Sequence, residues 1–293
     1  MRRRNNAVDY IIIVILGIMA FSCVVPILNT LAMSLSDKTS AQLGKVYFIP
    51  KNFNLSGYQE ILKDIQFFRS FGISILRVVL GVSLNSGLAI LMAYPLAQDP
   101  TTFRMRNVYM WIMVFTMLFN GGLVPTYLLV KSLGLVDTIW ALVLPGAVPV
   151  YNVIILMNFM KGIPSSLQEA AIVDGARPPQ IMFKIYVPLA KASIATISLF
   201  SMVGHWNEFV NGRIYINSVT KLPLQTYIQN LSMNISEADM LNMTPEEIMR
   251  RQEVSSLTFN CAKAIISMIP IVAVYPFLQR YFVTGIVLGA VKE

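Results

Sequence analysis

Charged side chains are scarce in this chain. They make up 13% of its 293 residues, whereas soluble domains carry roughly 25%. Hydrophobic residues reach 55%, and they gather in runs longer than a soluble core requires. No polar block is large enough to form a separate soluble domain. The composition therefore predicts an all-α membrane protein.

Other shortages exclude several classes of site. The chain has a single histidine, His205, so a metal site built on two histidines is excluded. Its two cysteines, Cys23 and Cys261, lie inside apolar runs and indicate no disulfide framework. No G-x-x-x-x-G-K-[ST] motif is present to cradle a nucleotide. The net charge of +8 comes from cations scattered at loop ends, which favours membrane anchoring over nucleic-acid binding.

Six apolar runs reach the roughly 20 residues that a membrane span needs. The predicted spans are 9–33, 71–97, 108–130, 138–160, 192–216 and 257–279. They form a single transmembrane domain, 1–293. Gly121, Gly122 and Pro125 are expected to break the third span.

The cations of the short segments predict the orientation of the spans. Three arginines at 2–4 and the short loop "QDPTTFRMRN" place the N-terminus in the cytoplasm. The outer segments 34–70 and 218–256 also carry cations, but acidic residues dilute them. Six spans then put both termini and the loop 161–191 inside the cell. A short helix is predicted from Thr244 and Pro245 in the second outer segment.

The polar loop "IPSSLQEAAIVDGARPPQ" has the signals of a short helix. Ser166 and Glu169 have capping-box spacing, which predicts a helix beginning near Ser165 or Ser166. Gly175 is expected to end it, and the Pro pair after it to delay the next helix. A second amphipathic stretch covers 180–187. From the residues alone, docking in a groove of another protein and resting on lipid headgroups both remain open.

The stretch "EAAIVDGA", followed by "IYVPLA", resembles the cytoplasmic EAA signature of binding-protein-dependent ABC importer permeases. In that family the signature forms a coupling helix that fits a cleft on the ATP-hydrolysing subunit. The matching residues are Glu169, Ala170, Ala171, Asp174, Gly175, Ala176, Ile185, Pro188 and Leu189. Ala192 departs from the pattern, since many carbohydrate members carry Pro there. This change is expected to alter the entry into the fifth span but not docking.

The resemblance extends over nearly the whole chain. The segments "GGLVPTYLLVKSLGLVDT", "GHWNEF" and "LQRYFVTGIVLGAVKE" are similar to the maltose-permease type of carbohydrate importer, in the subgroup for oligosaccharides and modified sugars, including alginate fragments. The resemblance implies the type I ABC importer permease fold in a bacterial inner membrane. It also implies a second, different permease, two ATPase subunits and an extracytoplasmic solute-binding protein. The ATPase subunits would bind ATP and Mg, while this chain binds no cofactor and catalyses no reaction. The tail, with Gly285 and Gly289, is expected to insert in extended form near the ATPase dimer.

A pathway for sugar needs hydrogen-bonding side chains and aromatic faces on broken helices. The candidate pathway residues are Asn120, Tyr127, Tyr151, Asn152, His205, Trp206, Asn207, Glu208 and Asn211. Trp140 is a further aromatic, but helix packing is the favoured role for it and for Tyr127. Arg77 and Lys263 at membrane depth could attract an acidic sugar, snorkel, or pair with Glu208.

The stretch "HWNE" leaves two other functions open, a proton-coupled secondary transporter and an intramembrane enzyme. His205 and Glu208 lie one helical turn apart, so they could carry protons or bind a metal. A metal normally takes three or four protein ligands, and no inverted repeat typical of secondary transporters is visible. Hydrogen bonding to neighbouring helices, or lining a wet cavity, is the favoured role. Both alternatives leave the EAA loop unexplained.

Overall fold

A computed structural model describes the backbone of residues 7–232 and 257–290, and the side chains of 10–230 and 257–276. These residues divide into two compact units. One contains the described residues of Met1–Phe67 and Ile228–Ile269, and the other those of Phe68–Tyr227 and Pro270–Glu293. The regular structure of the described residues is entirely helical. This confirms the predicted fold class.

The α-helices are numbered α1 to α15 in chain order. Their bounds are α1 Ala7–Ser34, α2 Lys38–Gln42, α3 Ser56–Lys63, α4 Ile65–Ala97, α5 Arg106–Leu118, α6 Leu123–Ser132, α7 Ile139–Val143, α8 Val150–Lys161, α9 Ser165–Val173, α10 Pro178–Ile181, α11 Val187–Leu189, α12 Lys191–Asn207, α13 Val210–Tyr215, α14 Leu224–Ser232 and α15 Leu257–Ala290. Short 3₁₀ turns cover Leu144–Gly146 and Val219–Lys221, and a π-helix covers Met182–Tyr186.

In the part of the chain that the structure describes, three helices are long and apolar enough to cross a membrane unaided. They are Tyr10–Ser34, Ile65–Ala97 and Leu257–Pro276. A continuous helix satisfies its own backbone, which a lipid environment requires. Three bent helix pairs have the same apolar character, and the total reaches six if each pair is one span.

Two predicted spans are interrupted where the sequence analysis treated them as continuous. The span predicted at 138–160 breaks between α7 and α8, with a bend of 50°. Pro145 and Pro149 lie at this break, and a Pro lacks the N–H that a continuing helix needs. The span predicted at 192–216 stops as a helix at Asn207 and resumes at Val210.

The third span breaks where it was expected to. Helices α5 and α6 meet at 112° around Phe119–Gly122. Gly122 has φ of +85°, a conformation that favours glycine. Pro125 lies inside the first turn of α6 rather than in the break.

The core of the second unit joins the polar loop to the spans. Buried residues of α4, α5, α8, α10 and α12 form one cluster. Its most deeply buried members are Ala89, Ala93, Val153, Leu156 and Ala190. The segment 178–190 therefore packs on the same apolar core as the spans and is not a loose connector.

Some predicted features lie beyond the described residues or at their C-terminal limit. The N-terminal arginines and the helix expected from Thr244 lie outside them. For the tail, the extended conformation is wrong as far as Ala290, because α15 continues as a helix to that residue.

Candidate functional site

A polar cavity of about 370 Å³ lies in the second unit, between α4, the break that separates α7 from α8, and the end of α12. Its lining mixes polar side chains with backbone exposed by the helix breaks. The lining residues are Arg77, Asn85, Leu142, Gly146, Pro149, Asn152, Phe200, Ser201, Gly204, His205, Glu208 and Asn211.

Arg77 occupies the point where two interrupted helices end. It is 1% exposed, and its Nη1 donates to the carbonyl oxygen of Glu208 at 2.9 Å. Its Nη2 lies 3.4 Å from the carbonyl oxygen of Leu142 in the last turn of α7. Helix ends leave carbonyls without helical partners, and a cation is favoured at the negative end of a helix dipole. Arg77 therefore caps backbone acceptors that the breaks expose.

Glu208 is the negatively charged partner of Arg77. Its Oε2 lies 2.5 Å from Nη2 of Arg77. Its Oε1 accepts the backbone N–H of Asn211, in the first turn of α13, at 2.7 Å. Of the roles proposed for Arg77 in the sequence, the ion pair with Glu208 is the one formed. Both carboxylate oxygens of Glu208 have donors, so the pair stabilises the interruption between α12 and α13.

His205 lies against a glycine of α4. A Cβ at Gly81 would clash with the imidazole ring, so only glycine leaves room for it there. With the amide nitrogen of Asn85 directed at the carbonyls of Gly81 and Ala147, at 3.0 and 3.3 Å, its oxygen accepts from His205 Nε2 at 3.3 Å. The contact of His205 with Asn85 is the hydrogen bond to a neighbouring helix that the sequence favoured.

Asn152 joins α8 to α12 on another wall of the cavity. It is 5% exposed, and its Nδ2 donates to Ser201 Oγ at 3.1 Å and lies 3.3 Å from the carbonyl oxygen of Ile197. Buried amides are costly unless they find such partners. These contacts leave the cavity walls polar but uncharged apart from the Arg77–Glu208 pair.

The cavity brings together only part of the predicted pathway set. Asn152, His205, Glu208 and Asn211 line it. Trp206 instead is buried and packs edge-on against Phe71, with ring centroids 5.7 Å apart. Contact of any of the predicted residues with a sugar stays a prediction.

The other predicted residues lie elsewhere in the second unit. Tyr127 stacks with Tyr215 at 6.2 Å. Tyr151 and Asn207 are exposed. Asn120 is exposed in the break between α5 and α6, where its Oδ1 accepts the N–H of Gly122 at 2.8 Å.

Sequence reasoning missed Asn85 and Ser201 as lining residues. A signal was available, because Arg77, Gly81 and Asn85 are spaced by four residues and so share one face of α4. A polar and small-residue stripe on an apolar helix indicates the face turned away from lipid. Ser201 gives no comparable signal, since serine is tolerated on either face of a span.

Lys263 belongs to the first unit. Its side chain is buried, with Nζ 3.3 Å from Asn260 Oδ1 and 4.1 Å from the ring centroid of Phe259. A cation over an aromatic face gains from the ring quadrupole. Among the described residues, no group of three or more His, Cys, Asp or Glu side chains could hold a metal ion.

The start of α7 is fixed to the segment after α13 by Asp137. Its carboxylate accepts from Lys221 Nζ at 2.7 Å and from the N–H and hydroxyl of Ser218 at 2.9 and 2.7 Å. The Lys221 ammonium, together with the Ser218 donors, holds the pKa of Asp137 well below its usual range. Asp137 has φ of +64°, which Asp tolerates better than most residues.

The EAA segment forms the exposed helix α9. It begins at Ser165, as expected, but Pro164 is the N-cap and no side chain caps it, so the capping box of Ser166 and Glu169 is wrong. Its C-terminus follows the prediction, with Gly175 at φ of +78°. The N–H groups of Gly175 and Ala176 bond the carbonyls of Ile172 and Ala171, which is the Schellman pattern.

The connection after Gly175 is more regular than predicted. Pro178 and Pro179 do not delay the helix but open α10, because a Pro in the first turn lacks only an N–H that would be unpaired. The backbone N–H of Arg177 donates to Gln180 Oε1 at 2.8 Å. The chain then turns through 81° into α12. No residue of α9 is buried, and its signature residues Glu169, Ala170 and Asp174 face solvent.

The chain is similar to known membrane transport proteins over most of its length. Residues 85–288 match the family model described as "Binding-protein-dependent transport system inner membrane component". The polygalacturonan/rhamnogalacturonan transport system permease protein YtcP of Bacillus subtilis (strain 168) is 38% identical over 99% of both chains. Protein LplC of the same strain is 37% identical over 99% of this chain and 96% of its own length. A chain of the crystal structure of a bacterial ABC transporter involved in the import of the acidic polysaccharide alginate superposes with a TM-score of 0.82, at 31% identity, covering 96% of this chain and 99% of that one.

Proposed function

This chain belongs to the family of binding-protein-dependent transport system inner membrane components, and we propose that it is a permease subunit of an ATP-driven oligosaccharide importer. The family places it among integral membrane subunits of ABC transporters that work with a solute-binding protein, and the 0.82 superposition confirms the permease fold. The observation that carries the proposal is the family match at 85–288, because it contains α9 and every lining residue of the polar cavity except Arg77.

In this proposal α9 is the contact with the ATPase subunits. Its exposed signature residues and its fixed C-terminus at Gly175 suit a short helix that lies in a groove of another protein. ATP and Mg belong to the two ATPase subunits. When they close around ATP, α9 moves with them, and the interrupted spans switch from inward- to outward-facing. No covalent bond in the substrate is broken by this chain.

The cavity gives this chain its share of the pathway. Asn85, Asn152 and His205 offer uncharged donors and acceptors suited to sugar hydroxyls. The name of the related permease YtcP refers to polygalacturonan and rhamnogalacturonan, and the solved transporter is involved in the import of alginate. We therefore expect an oligosaccharide with carboxylate groups.

A second permease completes the pathway in this proposal, as a heterodimer with this chain. Asn120, Tyr151 and Asn207 are exposed in the second unit, which suits contact with substrate or with that partner. Trp206 and Tyr127 pack against other aromatic rings, and this supports structural roles for both. The chain lies in a bacterial inner membrane with both termini in the cytoplasm.

Proton-coupled transport through Glu208 and His205 is the alternative. It requires a carboxylate free to exchange protons, whereas Glu208 accepts from both Arg77 and Asn211. The contacts of Glu208 therefore favour the importer over the alternative.

The experiment is uptake by proteoliposomes. The chain is purified in mild detergent with its associated subunits, reconstituted, and supplied with a labelled oligogalacturonide loaded on the solute-binding protein. We expect uptake only when ATP is present on the side of the ATPase subunits, with ADP as the matched control. If the isolated chain takes up the sugar under a pH gradient without ATP, the importer proposal is wrong.

A further inference from the structure

A second cavity, of about 500 Å³, lies behind α9. It separates α9 from the C-terminal end of α4 and the end of α8. Its lining residues are Ala97, Gln98, Asp99, Thr102, Arg106, Met160, Lys161, Ile163, Ser165, Gln168, Glu169, Ile172 and Tyr186. No residue of α9 is buried, although Ala171 packs against the core cluster. The polar contacts that cross this space are therefore a second connection between α9 and the spans.

One side chain of α9 crosses the space with both ends of its amide engaged. Nε2 of Gln168 donates to Oε1 of Gln98 at 2.8 Å. Oε1 of Gln168 accepts the hydroxyl of Tyr186 at 2.6 Å. Gln168 is half-buried, whereas the residues after it, Glu169 and Ala170, are exposed. Gln168 thus bonds α9 to the rest of the unit, while Glu169 and Ala170 keep exposed surface for another protein.

The contacts continue from Gln168 into the apolar core. Nε2 of Gln98 lies 3.3 Å from the carbonyl oxygen of Tyr94 in the last turns of α4. Tyr94 and Tyr186 are both buried and meet edge to face, with centroids 5.1 Å apart. Tyr186 ends the π-helix Met182–Tyr186, and π-helical turns occur frequently at functional sites. The three polar side chains therefore tie α9 to two separate elements at once.

The same helix α4 reaches the polar cavity. Gln98 follows its last residue, and Arg77 lies about 20 residues earlier, or roughly 30 Å along the axis. A helix transmits displacement along its length better than a loop, because its backbone bonds are internal. A pull on Gln98 would thus reach the helix face that carries Asn85 and Arg77.

We propose that Gln168 is a positioning residue that transmits the movement of α9 to α4 through Gln98 and to the π-helix through Tyr186. The inference rests on the proposed importer function and adds to it the connection between the ATPase contact and the cavity. Docking of the ATPase and transmission of its movement are then separate properties of α9, carried by different residues.

The test uses the complete complex and the variant Gln168→Leu. We expect the ATPase subunits to co-purify as with wild type and to hydrolyse ATP, while the amount of sugar taken up per ATP falls about fivefold or more, the range of typical coupling between sites. The matched control is Gln180→Leu, an exposed glutamine whose bond is to Arg177 within the same loop. It should leave uptake per ATP unchanged.

Two further variants keep the inference falsifiable. Gln98→Leu should give part of the loss, because it breaks one of the two connections of Gln168. The double variant should lose little more than Gln168→Leu alone, since that variant already breaks the connection to Gln98. Tyr186→Phe keeps the ring against Tyr94 and should give a smaller loss. Unchanged uptake per ATP in Gln168→Leu, or additive losses in the double variant, would overturn the transmission role.

The outcomes also separate this inference from the proposed function. If Gln168→Leu releases the ATPase subunits, Gln168 acts in docking and the transmission role is wrong, while the importer stands. If the wild-type complex contains no ATPase subunit, the proposed function itself fails.

Discussion

The two polar regions of the second unit, α9 and the cavity, are built in opposite ways. The shape of α9 depends on neighbours in the chain, such as the bond from Ala176 to Ala171. The cavity depends on distant residues, and Arg77 and Glu208 lie 131 positions apart. α9 has no buried residue, whereas Arg77, Asn85 and Asn152 are almost completely buried. Damage to the cavity should therefore reduce stability, and damage to α9 should reduce docking or coupling with little loss of stability.

The largest effect on stability is expected from Arg77→Met. The change leaves Glu208 without its counter-ion and two backbone carbonyls without a donor. Breaking a buried pair costs about 3–5 kcal/mol, and we expect the lower end because the Glu208 side chain is 27% exposed. The measurement is thermal unfolding of the purified chain in detergent. Arg104→Met, at an exposed arginine between α4 and α5, should leave the transition in place.

A charge-reversed pair tests whether Arg77 acts as a helix cap or only as a counter-ion. In Arg77→Glu combined with Glu208→Arg the opposite charges are kept. A carboxylate at position 77 cannot donate to the carbonyls of residues 142 and 208, so the double variant should remain unstable. Recovery of wild-type stability would reduce the role of Arg77 to simple charge pairing.

A smaller effect is expected from Gly81→Ala. The added methyl group would displace the imidazole of His205 and its bond to Asn85. Overpacking typically costs about 1–3 kcal/mol, and the ability of the His205 ring to move keeps this case near the lower value. Gly87→Ala is the matched control in the same helix, because nothing lies within 4 Å of its added Cβ. It should be neutral or stabilising by up to about 1 kcal/mol. Equal melting temperatures for the two variants would contradict the account of this site.

The same contrast explains what could be predicted from the sequence. The start of α9 near Ser165 and its end before Gly175 follow from local signals and were predicted. The capping box failed because Pro164 takes the N-cap position, which places Ser165 and Ser166 inside the first turn. Pro164 is adjacent to the two serines, so the error concerns only the first turn and not the existence of the helix.

The cavity could be predicted only in part, because its partners are chosen by tertiary packing. Among the three roles left open for Arg77, the sequence could not select the pair with Glu208. The interruption between α7 and α8 had a readable cause in Pro145 and Pro149. The sequence could not tell that His205 lines the cavity while Trp206 does not. Neighbouring positions of a helix face different directions, and Trp206 packs against Phe71.

The measurement that tests the central claim most directly is co-purification of the ATPase subunits with two variants of one residue. Gly175 has φ of +78°, which Asn tolerates and a β-branched residue does not. Gly175→Val should lose the ATPase subunits while its melting temperature stays near that of wild type, and Gly175→Asn should retain them. If the ATPase subunits remain bound to Gly175→Val, the role of α9 as the docking helix is contradicted. It is also contradicted if Gly175→Val loses the subunits only because its melting temperature falls well below that of wild type.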